Sequence, residues 1–396
     1  VVVSRVYRTE LRLNNKQRTA CRMHSGSSRF AYNWGLERYN SVYRLNQLPV
    51  PSVRYPSAIS LHRELVGLKQ DGTLGWLSEV SKCAPQEALR DLEMAFKHFF
   101  RRLKSGEEEL GYPKFKSKKE GVGSFRLTGH ITVEDDRIRL PRIGWVRLKE
   151  HGYIPVGKHK QATVSERAGR WFVSVLVKED VEPSPLRAGV VGVDLGIKHL
   201  AVCSDGVVFE NPKALERNLR KLRRLQKAIS RKKKGSVNRK KAIRQLQRTH
   251  LRISNIRQDN LHKTTSMLAR NKQTICLEDL NVSGMLKNHH LARAISDVGL
   301  YEFRRQMEYK TGWYGSTLVY ADRWFPSSKT CSKCGHIRDD LKLSERTFHC
   351  PSCGNSIDRD FNASLNLEMV AVSSTETLNA CEEESSNPLL GVKLSQ

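Results

Sequence analysis

Four cysteines stand in two close pairs, Cys331-x2-Cys334 and Cys350-x2-Cys353, with residues 335–349 between them. Each pair can present two thiolates to one ion, and four thiolates close a tetrahedral shell. A closed shell leaves no position for substrate, so the implied ion is one structural zinc. Gly335 and Gly354 follow the second cysteine of each pair, where the chain must turn tightly. His349 adjoins Cys350 and is not expected to replace it as a ligand.

Carboxylates form the second constellation. Asp194 ends the apolar run VVGVD, Glu278 ends TICLE, and Asp358 and Asp360 open the last helical segment. Taken singly, each reads as a cap or a surface acid, and Asp358 is simply favourable at a helix N-terminus. Taken together, they suit phosphodiester hydrolysis. That reaction needs charge neutralised on a phosphate oxygen and a water activated for in-line attack, and two divalent ions do both. Hard Mg²⁺ selects carboxylate and water oxygens. The chain has no GxxxxGK[ST] and no GxSxG motif, and no Ser/His/Asp triad competes.

The bulk composition points to the partner. The 396 residues carry 69 Lys and Arg against 41 Asp and Glu, a formal charge of +28. Such an excess predicts a polyanion, above all nucleic acid. Between residues 213 and 252 every charged residue except Glu216 is Lys or Arg. The turn of this helical hairpin holds Arg231, Lys232, Lys233, Lys234, Arg239, Lys240 and Lys241. A solvated face would mix signs, so a phosphate-backbone contact is expected. No apolar run reaches the roughly 20 residues that span a bilayer, so no membrane partner is expected. The nine cysteines form no regular framework, which favours a reducing cytosol over a disulfide scaffold.

The elements that must position these groups follow from periodicity. Residues 1–13 alternate as a strand rather than a signal peptide, with Val2, Val6, Leu11 and Leu13 read as inward. Residues 14–110 are mostly helical, with Phe30, Tyr32, Trp34, Tyr39 and Tyr43 read as helical core and Leu89, Leu92, Phe96, Phe99 and Leu103 at helical spacing. The segments SFRLTG, HITVEDD, RIRLPRIG, WVRLKEH, QATVSERAG and RWFVSVLVKED then read as successive strands of a barrel completed by the N-terminal strand. Residues 181–188 read as a linker. An α/β half follows: three short strands, two helices over 212–230 and 239–270, the strand TICLEDL, a helix near 297–311, the strand STLVYAD and a helix over 358–371. The tail, 373–396, is expected to be disordered.

GVDLGIKHLAV, LEDLNVSGM and DRDFNASLN resemble the three RuvC motifs of the TnpB family, transposon-encoded nucleases related to type V CRISPR effectors. WFPSSKTCSKCGHIRDDLKLSERTFHCPSCG resembles that family's zinc ribbon, RFAYNWGLERYN its helical region, PKFKSKK its basic segment, and LPRIGWVRL and WFVSVLV its barrel strands. The resemblance implies a multidomain α+β chain. It has a wedge-like β-barrel (1–13 and 111–180) with a helical recognition insert (14–110). A RuvC-like nuclease of the RNase H fold (189–372) follows, with a basic helical hairpin (212–270) and an inserted zinc ribbon (329–356).

The resemblance further implies RNA-guided cleavage of double-stranded DNA beside a short motif, with a guide RNA from the chain's own locus and two Mg²⁺ ions. Asp194 and Glu278 match the first two catalytic acids. The third stands in a D-x-N-A pattern, which selects Asp360, with Asn362 and Ala363 after it; Asp358 becomes an accessory acid or cap. Two other readings use the same motifs: a small type V CRISPR effector, and a guided repressor that no longer cuts. Intact acids argue against the repressor.

Overall fold

The computed structural model describes residues 2–49, 52–107, 110–118, 121, 123–182, 189–342 and 344–385, with side chains to residue 374. The chain divides into two units, Val2–Glu179 and the residues from Asp180 onward.

In the first unit, β1 (Val2–Arg12) precedes three helices, α1 (Asn15–Leu45), α2 (Ala58–Gln70) and α3 (Cys83–Lys104). Asn14 and Gln17 form a reciprocal capping box that starts α1. The helices bury Tyr32, Leu36, Tyr39, Leu61, Leu89, Leu92 and Phe96 in one core. Tyr43 and Leu103, at the ends of their helical patterns, are exposed. Next come β2 (Ser124–Val133), β3 (Arg137–Leu140), β4 (Gly144–Leu148), β5 (Gly157–Arg167) and β6 (Arg170–Asp180). They close with β1 into a six-stranded barrel of order β1-β4-β3-β2-β5-β6.

Two strand expectations need correction. SFRLTG and HITVEDD belong to one strand, β2, whose pairing with β5 shifts between Thr128 and Ile131. Gly129, at φ +99°, absorbs the irregularity. On β1 the inward residues are Val3, Thr9 and Leu11, whereas Val2 and Val6 face out at 69% and 58% exposure. A period of two cannot put even-numbered Val2 and Val6 on the face of Leu11.

In the second unit, β7 (Val190–Leu195), β8 (His199–Cys203) and β9 (Val208–Glu210) lead into α4 (Ala214–Ser230) and α5 (Val237–Asn271). Then come β10 (Thr274–Glu278), α6 (Val282–Met285), α7 (Ala292–Val298), α8 (Leu300–Tyr314) and β11 (Thr317–Ala321). The chain continues through β12 (Thr347–His349) and β13 (Ser356–Asp358) to α9 (Arg359–Ser385). The helix expected near 297–311 is two helices, broken at Gly299 with φ +81°.

The main sheet has the order β11-β10-β7-β8-β9. Strands β11, β10 and β7 run parallel, and β8 and β9 are antiparallel additions. Val191, Val193, Ile275 and Leu277 pack with Leu261 and Leu268 of α5 and Phe303 and Met307 of α8. Cys276 packs instead with Leu367 and Ala371 of α9. Helices therefore cover both faces, which explains why the parallel strands are apolar runs. Helix α9 continues past residue 373, where disorder is expected, as far as Ser385. The remainder of that tail, and residues 183–188 of the expected linker, lie outside the described residues.

Candidate active site

Strand alternation decides which acids meet. Gly192 lies against α9: a Cβ there would be 2.0 Å from the Ser364 carbonyl oxygen. Two residues on, Asp194 shares that face. On β10 Cys276 faces α9, and Glu278, two residues on, shares its face. The parallel register Leu277↔Val193 sets Glu278 and Asp194 side by side at the carboxyl ends of neighbouring strands. Asp360 occupies the first turn of α9 above them.

The electrostatics report the same gathering. Burial pushes the Asp194 carboxyl well above its ordinary range, and the charges of Glu278, then Asp360, and last Asp358 push it further. Arg359 opposes the shift. Burial also raises Glu278, against a hydrogen bond from the Ser327 hydroxyl. Asp360 has Arg359 at 3.4 Å and Arg346 at 3.9 Å. Asp358 is engaged differently: its Oδ1 accepts from the N–H groups of Asp360 (3.0 Å) and Phe361 (3.1 Å), capping α9.

The four cysteines converge as their spacing predicts, with ligand atoms all within 4.8 Å of one another. Sγ of Cys331 is 3.7 Å from that of Cys353, and Cys334 is 3.5 Å from Cys350. A tetrahedron of thiolates about 2.3 Å from zinc has edges of about 3.8 Å, so this set fits the ion. Two matching turns build it. The Cys331 carbonyl accepts from Gly335 N–H and the Cys350 carbonyl from Gly354 N–H, while the two cysteine N–H groups donate to His336 and Asn355. Gly335 and Gly354 have φ of +74° and +70°. Burial opposes ionisation of Cys331, but the N–H groups of Cys334 and Lys333 hold its thiol down at about 6. His349 is exposed and outside the cluster. The carboxylates are not drawn together so tightly: among the described residues only the cysteines meet this 4.8 Å spacing. Three hard oxygen donors whose charges repel one another are nonetheless the donor chemistry that divalent magnesium requires.

The cysteine site and the acids are joined through residues the sequence did not single out. β13 pairs with β12 through Phe348↔Ile357 and runs directly into Asp358 and α9. From α9, the buried Asn366 donates to the carbonyls of Ser327 (2.7 Å) and Thr330 (2.6 Å). Asn362 donates to Thr330 and accepts from the Ser332 N–H at 3.0 Å. The segment carrying Cys331 and the Glu278 partner Ser327 is thereby fixed to the helix carrying Asp360. The only hint in sequence is the i, i+4 spacing of Asn362 and Asn366 on one helix face.

The basic hairpin forms as expected. Arg231–Lys234 lie exposed between α4 and α5, and Ser236 caps α5 through Arg239 N–H at 3.2 Å. Arg239 is half-buried, and Lys240 and Lys241 are exposed. The hairpin's base is held by Asp297, which accepts from Leu215 N–H at 2.9 Å and pairs with Arg257 at 2.6 Å. Sequence reading missed this buried acid, because its partners are 40 and 82 residues away.

A six-stranded barrel and a sheet unit carrying a four-cysteine ribbon together define a multidomain fold of the Cas12f type. A Cas12f1 chain solved with guide RNA and target DNA superposes with a TM-score of 0.54 over 93% of this chain and 99% of its own, at 12% identity. Residues 162–289 match the OrfB_IS605 model, described as a probable transposase, and residues 301–367 match the Cas12f1-like TNB domain. Residues 3–47 match the OrfB_IS605 helix-turn-helix model, although here that stretch is one strand and one long helix. A protein of Streptomyces pristinaespiralis named as an RNA-guided DNA endonuclease is 41% identical over 86% of this chain and 83% of its own. InsQ of Escherichia coli K12, similarly named, is 33% identical over 91% of this chain and 90% of its own. The chain belongs to the TnpB family of transposon-encoded RNA-guided DNA endonucleases.

Proposed function

We propose that this protein is an RNA-guided endonuclease that cuts double-stranded DNA beside a short motif, with Asp194, Glu278 and Asp360 as its catalytic acids. The observation that carries the reading is the gathering of Asp194 and Glu278 at the ends of neighbouring strands with Asp360 in the first turn of α9, where burial and then the charges of Glu278 and Asp360 raise Asp194. The strand order, three antiparallel strands followed by two parallel ones, supports a RuvC-like nuclease of the RNase H fold.

The three acids would hold two Mg²⁺ ions. Held by these acids, magnesium would supply neutralising charge for the scissile phosphate and activation of the attacking water. The chain's own groups orient the donors. Ser327 fixes the Glu278 carboxylate, Arg359 and Arg346 steady Asp360, and Asp358 caps the helix. Cys331, Cys334, Cys350 and Cys353 would hold one zinc as a structural clamp on the segment between β11 and α9. The eight described cysteines are all free, as the four proposed zinc ligands must be to bind the ion. Among the described residues no helix is long and apolar enough to cross a membrane.

A charge of +28 supplies affinity for phosphate but no sequence information. Base pairing to a guide supplies it, with protein gripping the hybrid by shape and backbone. The guide would come from the chain's own locus, as it does for a transposon-encoded nuclease; guides from a repeat array would instead mark a small CRISPR effector. The test is to purify the protein from cells carrying its locus, sequence the bound RNA and rewrite the guide end. Cutting should move with the guide. Equal cutting by RNA-free protein at an unchanged site would overturn the proposal.

A further inference from the structure

We propose that Trp324 is a stacking platform for an unpaired base of the DNA strand entering the carboxylate site. The inference rests on the nuclease reading above and adds a substrate contact to it.

Trp324 is 85% exposed, while Trp171 is 4% exposed. Among the described residues its ring has no aromatic or cationic partner. Its exposure is imposed by ordered neighbours. Ala321, the last residue of β11, pairs with Glu278, so the turn that follows rises from the edge that carries the acids. Asp322 closes this turn, its carboxylate accepting from Trp324 N–H (2.8 Å) and its carbonyl from Phe325 N–H (3.0 Å). The Arg323 guanidinium is held by Asp279, the residue after Glu278, at 2.5 Å. Phe325 turns inward against Val190, Cys276, Ala321 and Leu367. Ser327 is bound to Glu278 on one side and to Asn366 on the other. Residues on both sides of Trp324 are thus fixed to the acid edge or to the core by hydrogen bonds, ion pairs or packing, while the indole is presented to solvent.

Nothing in the packing uses the ring, so a small polar residue would serve the fold equally well. A flat exposed indole beside a phosphodiesterase site has an evident ligand. Bases carry π-faces, and stacking on an aromatic is worth roughly 5- to 160-fold per base with little sequence preference. Inside a duplex both faces of each base are covered by its neighbours, whereas an unpaired base leaves its faces open to the ring. Arg323, half exposed beside it, offers positive charge to the adjoining phosphate.

The test uses the RNA-loaded complex carrying Trp324→Phe, Trp324→Leu or Trp324→Ala. Zinc content and melting temperature of each variant are measured alongside cleavage. Phe should cut within about threefold of the parent, while Leu and Ala should lose about thirtyfold, the middle of the stacking range, with target binding unchanged. Targets carrying one abasic nucleotide at successive positions near the cut then locate the contact. One position should slow the parent to the Ala level and add nothing in the Ala variant. Leu cutting as fast as Phe, or Ala adding its loss to every abasic position, would overturn the proposal. Quenching of tryptophan emission by a short single-stranded DNA gives a readout that needs no cutting. The quenched component should vanish in Trp324→Phe, and its persistence there would also overturn the proposal. A parent complex that is quenched but cuts nothing would fail the nuclease reading and leave the stacking contact standing.

Discussion

Gly192 of β7 lies directly beneath the backbone of α9, so close that a Cβ would sit 2.0 Å from the Ser364 carbonyl oxygen and 2.3 Å from Glu368 nitrogen. Both obstacles are main-chain atoms of a helix and cannot rotate away. This approach sets the height of α9 over the sheet, and with it the distance from Asp360 to Asp194.

Gly192→Ala should therefore act on the fold and the site together. Overpacking a tight contact typically costs 1–3 kcal/mol, and a backbone clash this short belongs at about 3 kcal/mol or above. Melting temperature should fall sharply, and cutting should fall further than stability explains, because the helix must lift to admit the methyl. A stable variant that cuts normally would show that the helix has another way to seat.

Much of this site was legible in the sequence because its signals are local. Paired CxxC turns, apolar runs ending in acid and the D-x-N-A motif each sit within a few residues. What escaped depends on pairing over long distances. Asn366 reaches Ser327 across 39 residues, and Asp297 reaches Leu215 across 82. The face of β1 was misread because apolar residues occur on both of its faces, and closure of the barrel decides between them. The bulge at Gly129 resembled a turn because glycine marks either.

The acids should separate by role. On the proposed assignment Asp194→Ala, Glu278→Ala and Asp360→Ala each abolish Mg²⁺-dependent cleavage while leaving target binding nearly intact. Asp358→Ala should keep activity and lose about 1 kcal/mol, the usual worth of a helix cap, and Asp358→Asn should lose less. Single-turnover cleavage and thermal melts on the same samples check both halves. A dead Asp358→Ala beside an active Asp360→Ala would reverse the assignment.

The raised carboxyls predict a pH-dependent stability without added divalent ions. A folded Asp194 that resists ionisation binds its proton more tightly than the unfolded chain does. Stability is therefore lost as pH rises from the ordinary aspartate range, near 3.8, through the raised value. Asp194→Asn removes that penalty. In magnesium-free buffer it should melt above the parent at neutral pH, with the gain shrinking as pH falls toward the ordinary range. Added Mg²⁺ should raise the melting temperature of the parent and not of the variant. A gain independent of pH would mean that repacking, not charge, stabilises the variant.

Zinc should prove structural. Extensively dialysed protein should hold one zinc per chain by elemental analysis. Cys350→Ser should lower the melting temperature first and cutting as a consequence, since Phe348 and Ile357 pack on the cysteine cluster and β13 leads into α9. Folded protein that holds no zinc would sink the ribbon assignment.

The basic turn offers the clearest separation of affinity from fold. Arg231, Lys232, Lys233 and Lys234 are exposed between α4 and α5. Replacing all four by Ala should leave the melting temperature nearly unchanged, because Arg231 caps α4 only through its backbone N–H and exposed surface substitutions usually shift stability by no more than about 0.5 kcal/mol. Nucleic-acid binding should respond differently. Each lysine or arginine that neutralises a phosphate contributes about 0.9 to the slope of log affinity against log salt. Loss of four contacts would flatten that slope by up to about 3.6 and weaken binding most at low salt. The loss should be the same for matched and mismatched targets, since phosphate contacts carry no base identity. Titrations at several salt concentrations, with one matched and one mismatched DNA, read all three outcomes. An unchanged salt slope would place the phosphate grip elsewhere on this chain and leave the hairpin a solvated projection.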